Sequence, residues 1–131
     1  MLTTLAAVRK LVVARMDRRD VTPFQLTVPG EARFGETIAA WLRGDTVELT
    51  SASFLILLDR LGLVLVVGRR PVADVRRLAQ AAADAEGIGA LARRCEITAS
   101  SLSRYLGHDR SLRLGNFLRL CRGLGVTIGE K

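Results

Sequence analysis

Residues 91–106 read LARRCEITASSLSRYL, and their apolar spacing is that of two short helices meeting at a turn. Leu91 and Cys95 stand four apart on one face of a first helix. Ile97 fills the turn, and Thr98 has the side chain that caps a new helix. Leu102 and Tyr105, three apart, form the inward stripe of that second helix. Five apolar anchors around one tight turn specify a helix-turn-helix unit. They also fix what points outward: Ala99, Ser100, Ser103 and Arg104, with Ser101 beside them. Small side chains at a helix start let the backbone come close to base edges, and hydroxyls there can donate to bases or phosphate. The amides and dipole of the helix start favour phosphate too. Arg93 and Arg94, on the first helix, read either as a solvated face or as phosphate contacts.

Working outward, Asp74 opens a helix that reaches about Ala85 and closes near Gly87. After the unit comes an arginine-bearing loop, HDRSLRL. A last helix then runs from about 114 to 124 and stops at Gly125. GRRP at 68–71 reads as a linker. The final helix restates an earlier one. FLRLCRGLGVTIGEK at 117–131 matches FLILLDRLGLVLVVG at 54–68, with Phe54 on Phe117, Leu57 on Leu120, Leu61 on Leu124 and Gly62 on Gly125, all at an offset of 63.

What precedes the first copy is also helical. Leu5, Val8, Leu11 and Val12, joined by Arg15 and Met16, share one face of a first helix, which DRRD at 17–20 ends. Thr22, Pro23 and Gln25 carry a capping-box start for a short helix that Pro29-Gly30 stops. A third helix covers 32–43 with Phe34, Ile38, Trp41 and Leu42 inward. A fourth begins at Thr50 or Ser51 and ends at Leu61, where Gly62 turns the chain. LVLVV behind it is strand-like. The expectation is an all-α chain of two tandem four-helix domains, 1–67 and 74–131, joined by a linker at 68–73, with a short strand after the first.

Bulk composition narrows the function. Hydrophobic content of 49% in 131 residues excludes a disordered tail. The longest apolar stretch, Phe54 to Val67, is broken by Asp59 and Arg60 and is too short to span a membrane. The start MLTTLAAVRK places its charges after the apolar residues, unlike a secretory signal, so a cytoplasmic protein is expected. Cys95 and Cys121 share no metal-type spacing with each other or with His108, the one histidine, and read as reduced core thiols. With no Walker loop and no acidic cluster, no catalytic residue, metal or cofactor is expected. The net charge of +7 is uneven. Residues 1–66 hold eight Arg/Lys against seven Asp/Glu, a net +1, and residues 67–131 hold twelve against six, a net +6. A basic second half points to a polyanion such as double-stranded DNA.

Leu91-Ala92, Ile97, Thr98, Leu102, Tyr105 and the closing Leu124-Gly125 together resemble the phage-repressor or Cro-like (Xre-type) helix-turn-helix family. The resemblance covers roughly residues 74–128. It departs at His108, where the family often has Gly, and at Ile88, where it commonly has a polar residue. The resemblance implies that Thr98 to Ser101 and Arg104 face the major groove, while Arg110 and Arg113 hold phosphates. The first half is similar at Thr22, Leu26, Ile38, Trp41, Gly44, Thr50, Leu61 and Gly62, but its turn region is longer, contains Pro29-Gly30, and carries Glu31 and Glu36 outward. This suggests a degenerate copy used for dimerisation or partner binding.

The function implied is a sequence-specific transcription regulator, a repressor or small activator, of bacterial, phage or mobile-element origin. It would act as a homodimer, or as a duplicated chain that imitates one, with RNA polymerase or another regulatory protein as a further partner. The rival expectation is a protein-binding inhibitor or antiactivator on helix-turn-helix scaffolds, in the manner of some anti-CRISPR proteins.

Overall fold

The computed structural model describes residues 5–44, 49–107 and 111–130. In the first half, α1 (Leu5–Arg19) buries Val8, Val12 and Met16, each four residues from the last. A 3-10 turn at Pro23–Leu26 opens on the expected capping box, in which the Thr22 amide donates to Gln25 Oε1 at 2.7 Å and Thr22 Oγ1 accepts from the Gln25 amide. α2 (Ala32–Leu42) buries Ile38 and Trp41, and α3 (Ser51–Arg60) is capped by Thr50. In the second half, Asp74 accepts from the Arg76 and Arg77 amides to start α4 (Val75–Glu86). Then come α5 (Ile88–Cys95), α6 (Ala99–Gly107) and α7 (Leu114–Leu124).

The all-α expectation of two tandem four-helix domains is overturned by a sheet. β1 (Leu63–Val67), β2 (Arg70–Pro71) and β3 (Val126–Glu130) form an antiparallel sheet in the order β2-β1-β3. Residues 68–73, read as a linker, hold a tight turn and β2, and the Val72 amide donates to the Leu65 carbonyl at 2.8 Å. Among its described residues the first half has three α-helices and a 3-10 turn rather than four helices. The strand-like LVLVV found its partner in the tail of the second half, at a distance along the chain that no local pattern reports.

The register of that pairing carries the architecture. Leu65 faces Ile128, its counterpart in the repeat, while Leu63 faces Glu130 and Val67 faces Val126. An antiparallel pairing of residue i with residue i + 63 is unchanged when the two strands are exchanged, so a local two-fold axis passes between Leu65 and Ile128. The same axis relates other contacts. Thr50 bridges Arg113, the Ser51 amide donates to the Leu112 carbonyl at 2.7 Å, and the Leu114 amide donates to the Leu49 carbonyl at 2.8 Å. Phe54 and Phe117 meet edge-to-face across it. Both copies enter the sheet through a left-handed glycine, Gly62 at φ +71° and Gly125 at φ +74°, a conformation open to Gly without a Cβ penalty.

The core is continuous across both halves. Val8, Ile38, Trp41 and Phe54 from the first half and Leu91, Leu102, Phe117 and Leu120 from the second are fully buried in one cluster. Each such side chain contributes about 1.5–3 kcal/mol by leaving water. Arg15 on α1 ties the halves further, donating to the Leu61 carbonyl at 3.0 Å and to Glu130 at 2.8 Å. Among the described residues no helix is long and apolar enough to cross a membrane.

Candidate nucleic-acid interface

The unit at 91–106 folds as its spacing requires. Leu91, Ala92 and Cys95 are buried on α5, and Leu102 and Tyr105 on α6. Between the helices Glu96 adopts the left-handed conformation at φ +59°, so that its amide donates to the Arg93 carbonyl and the Ile97 amide to the Ala92 carbonyl. A non-glycine residue there costs about 1–2 kcal/mol, and the Glu96 carboxylate is meanwhile held by Arg122 from α7. Thr98 caps α6 by accepting from the Ser101 amide at 3.0 Å, and its hydroxyl donates to Ser101 Oγ at 2.8 Å.

Two contacts hold α6 in place from behind. Arg76 of α4 lies over the Tyr105 ring, 4.4 Å from its centroid, and its Nε donates to the Tyr105 carbonyl at 2.7 Å. Burial pushes the Tyr105 phenol up to about 12. Behind α5, the helices pack at van der Waals limit, because a Cβ at Gly123 would stand 3.2 Å from the Cys95 Cα and closer still to its sulfur. Burial also raises the Cys95 thiol, and pushes Cys121 up to about 12, so both are inert core groups.

On the outer side, Thr98, Ala99, Ser100, Ser103 and Arg104 are exposed and Ser101 is half-buried. Arg104 folds back along the helix, its Nη2 donating to Ser100 Oγ at 3.0 Å. Ser101 and Arg104 also line a cleft of about 200 Å³ against the start of α7, with Ser111, Arg113 and Asn116. The structure thus brings Ser101, Arg104 and Arg113 together, with Ser100 bonded to Arg104 beside them. Ser111 and Asn116 were missed in the sequence. A polar residue in the first turn of α7 was the signal for Asn116, since a helix start is an anion-binding position.

Two of the other expected residues lie on α5. Arg93 is exposed on α5. Arg94 turns away from this surface, forming a two-pronged pair with Glu86 at 2.9 Å on each side and donating to the Gly123 carbonyl. That pairing lowers the Glu86 carboxyl and raises the Arg94 guanidinium, chiefly through the shared hydrogen bonds. Its place is to brace α4 and α7 around α5. Arg110 and His108 lie outside the described residues.

Comparison with family models, with curated proteins and with solved structures finds no match for this chain. The ground for assigning a function is therefore the surface itself. It is polar and cationic, with small side chains at the helix start. The large apolar side chains exposed among the described residues are Leu5, Val13, Phe24, Val28, Leu55, Ile56 and Val67, and none belongs to α5, α6 or α7.

Proposed function

We propose that this chain is a sequence-specific DNA-binding regulator that lays α6 in the major groove of double-stranded DNA. The observation that carries the reading is the exposed face of Thr98, Ala99, Ser100, Ser103 and Arg104 on a helix fixed by Arg76 and by the α5 turn. Small residues at 99, 100 and 103 admit close approach, Ser100 and Arg104 supply donors, and the cleft with Arg113, Ser111 and Asn116 receives a flanking phosphate. The +6 charge of residues 67–131 adds the sequence-independent attraction. The protein would act in the cytoplasm, controlling transcription by where its site lies relative to a promoter, with RNA polymerase or another regulatory protein as the contact for the first half.

The rival role, an inhibitor that grips another protein through α6, is disfavoured because such a surface would expose large apolar residues there. The apolar residues lie instead on the first half, where Phe24 is 53% and Val28 52% exposed. The test is retention of fragmented DNA from the source genome by purified protein at about 0.15 M salt, where exposed charge contacts are screened. A few enriched fragments sharing a motif support the reading. Retention without a motif would indicate sequence-neutral binding, and no retention would overturn it.

A further inference from the structure

We propose that the chain is an internally paired dimer with one reading helix, and that it recognises an asymmetric DNA site as a single chain. This rests on the DNA-reading function proposed above. Two observations show which helix is the counterpart of α6. Arg9 of α1 lies over the Trp41 ring at 5.3 Å and its Nε donates to the Trp41 carbonyl at 2.8 Å. Arg76 of α4 does the same at Tyr105, at 4.4 Å and 2.7 Å. An arginine that both covers an aromatic ring and binds the same residue's carbonyl is a specific device. Its recurrence pairs α1 with α4 and α2 with α6.

Superposing Trp41 on Tyr105 along the sequence puts Ile38 on Leu102, both fully buried. It also puts Gly35 on Ala99, Glu36 on Ser100, Ala39 on Ser103 and Ala40 on Arg104. The open helix start, the hydroxyl at 100 and the cation at 104 are all lost in this list, although Ala39 stays small. Ala99 is exposed, whereas Gly35 is buried beneath Phe24, and a Cβ there would come within 2.7 Å of the Phe24 ring and 3.2 Å of Thr27 Cγ2. The start of α2 is thus roofed by the segment that should be the first helix of the motif, and that segment is only a 3-10 turn. An exposed carboxylate, Glu36, stands where Ser100 would meet the groove, and Ala40 removes the cation.

A two-fold frame with two like readers selects a palindrome. With one reader closed, the same frame selects one half-site. The self-complementary strand pairing that would otherwise recruit a second chain is already formed inside this one, Leu65 on Ile128.

The experiment is selection of the full chain against a pool of randomised duplexes at about 0.15 M salt, followed by light scattering of the complex with the recovered duplex. The expected result is one asymmetric motif and one chain per duplex. Glu36→Arg on α2 should leave motif and affinity within about twofold, and Arg104→Glu should weaken binding about tenfold or more. A palindromic motif, two chains per duplex, or a motif altered by Glu36→Arg would overturn this proposal while leaving DNA reading intact. No enriched sequence at all would overturn both together.

Discussion

Phe54 meets Phe117 edge-on, with ring centroids 6.4 Å apart and planes at 67°, and the two occupy the same place in the two copies of the repeat. The contact sits on the local two-fold and joins α3 to α7. Truncating either ring to Ala should cost about 3–5 kcal/mol, since both are fully buried. A double-mutant cycle in urea should return a coupling of about 0.5–1.5 kcal/mol, the usual value for an aromatic pair. Additive losses would mean that the rings do not support each other.

Because β1 and β3 belong to different halves, the chain should unfold as one unit. Trp41 is the only tryptophan and reports on the first half. Leu102→Asp buries an unpaired charge in the second half, at a fully buried position, and should cost several kcal/mol. Trp41 fluorescence and far-ultraviolet circular dichroism should shift together to lower denaturant. A Trp41 transition left in place by Leu102→Asp would show that the halves fold independently.

Much of this was legible beforehand, and the exceptions have a common cause. Helix starts were readable because they are local: the capping box at Thr22 and Gln25, Asp74 before α4, Thr98 before α6. The buried faces followed from three- and four-residue spacing, as at Leu102 and Tyr105. β3 was missed because VTIGE is short, contains Gly129 and pairs with residues more than fifty positions away. The signal was present in the repeat itself, since Leu63 and Leu65 align with Val126 and Ile128 at the same offset. At the interface, the outward face of α6 was legible from its apolar stripe. The withdrawal of Arg94 to Glu86 was not, because their pairing depends on how α4 and α5 cross.

Ser100→Glu and Arg104→Glu should each abolish DNA retention while leaving the thermal transition within about 0.5 kcal/mol, as exposed substitutions do. Ser100→Glu acts twice, adding a charge that repels phosphate and holding Arg104 one turn on in an ion pair. Unfolding by either variant would place these side chains inward and contradict the register of α6.

Gly123→Ala should be destabilising despite the better helix propensity of Ala. Its new methyl group would collide with Cys95, whose backbone is fixed by α5. The expected loss is about 1–3 kcal/mol by overpacking, against about 1 kcal/mol gained from propensity. An unchanged or raised melting temperature would show that α5 and α7 can separate at no cost.

Stability should fall as pH rises above about 9 and be insensitive to these groups below it. Burial raises Cys95 above its ordinary 9.0, Cys121 from 9.0 to about 12 and Tyr105 from 10.0 to about 12. The unfolded chain therefore releases these protons first. Between the unfolded and folded values the native state binds more protons, so its advantage declines with pH. Urea unfolding at about pH 8 and about pH 10.5 should show a lower midpoint at the higher value. Replacing Cys121 by Ala should flatten that slope.

The most direct test of the interface is amide chemical-shift mapping of the protein titrated with its selected duplex. The account predicts the largest changes at Thr98–Arg104 and at Ser111–Asn116 around the cleft, with α2 little affected. Changes centred on α2 or on Phe24 and Val28, with α6 silent, would contradict it.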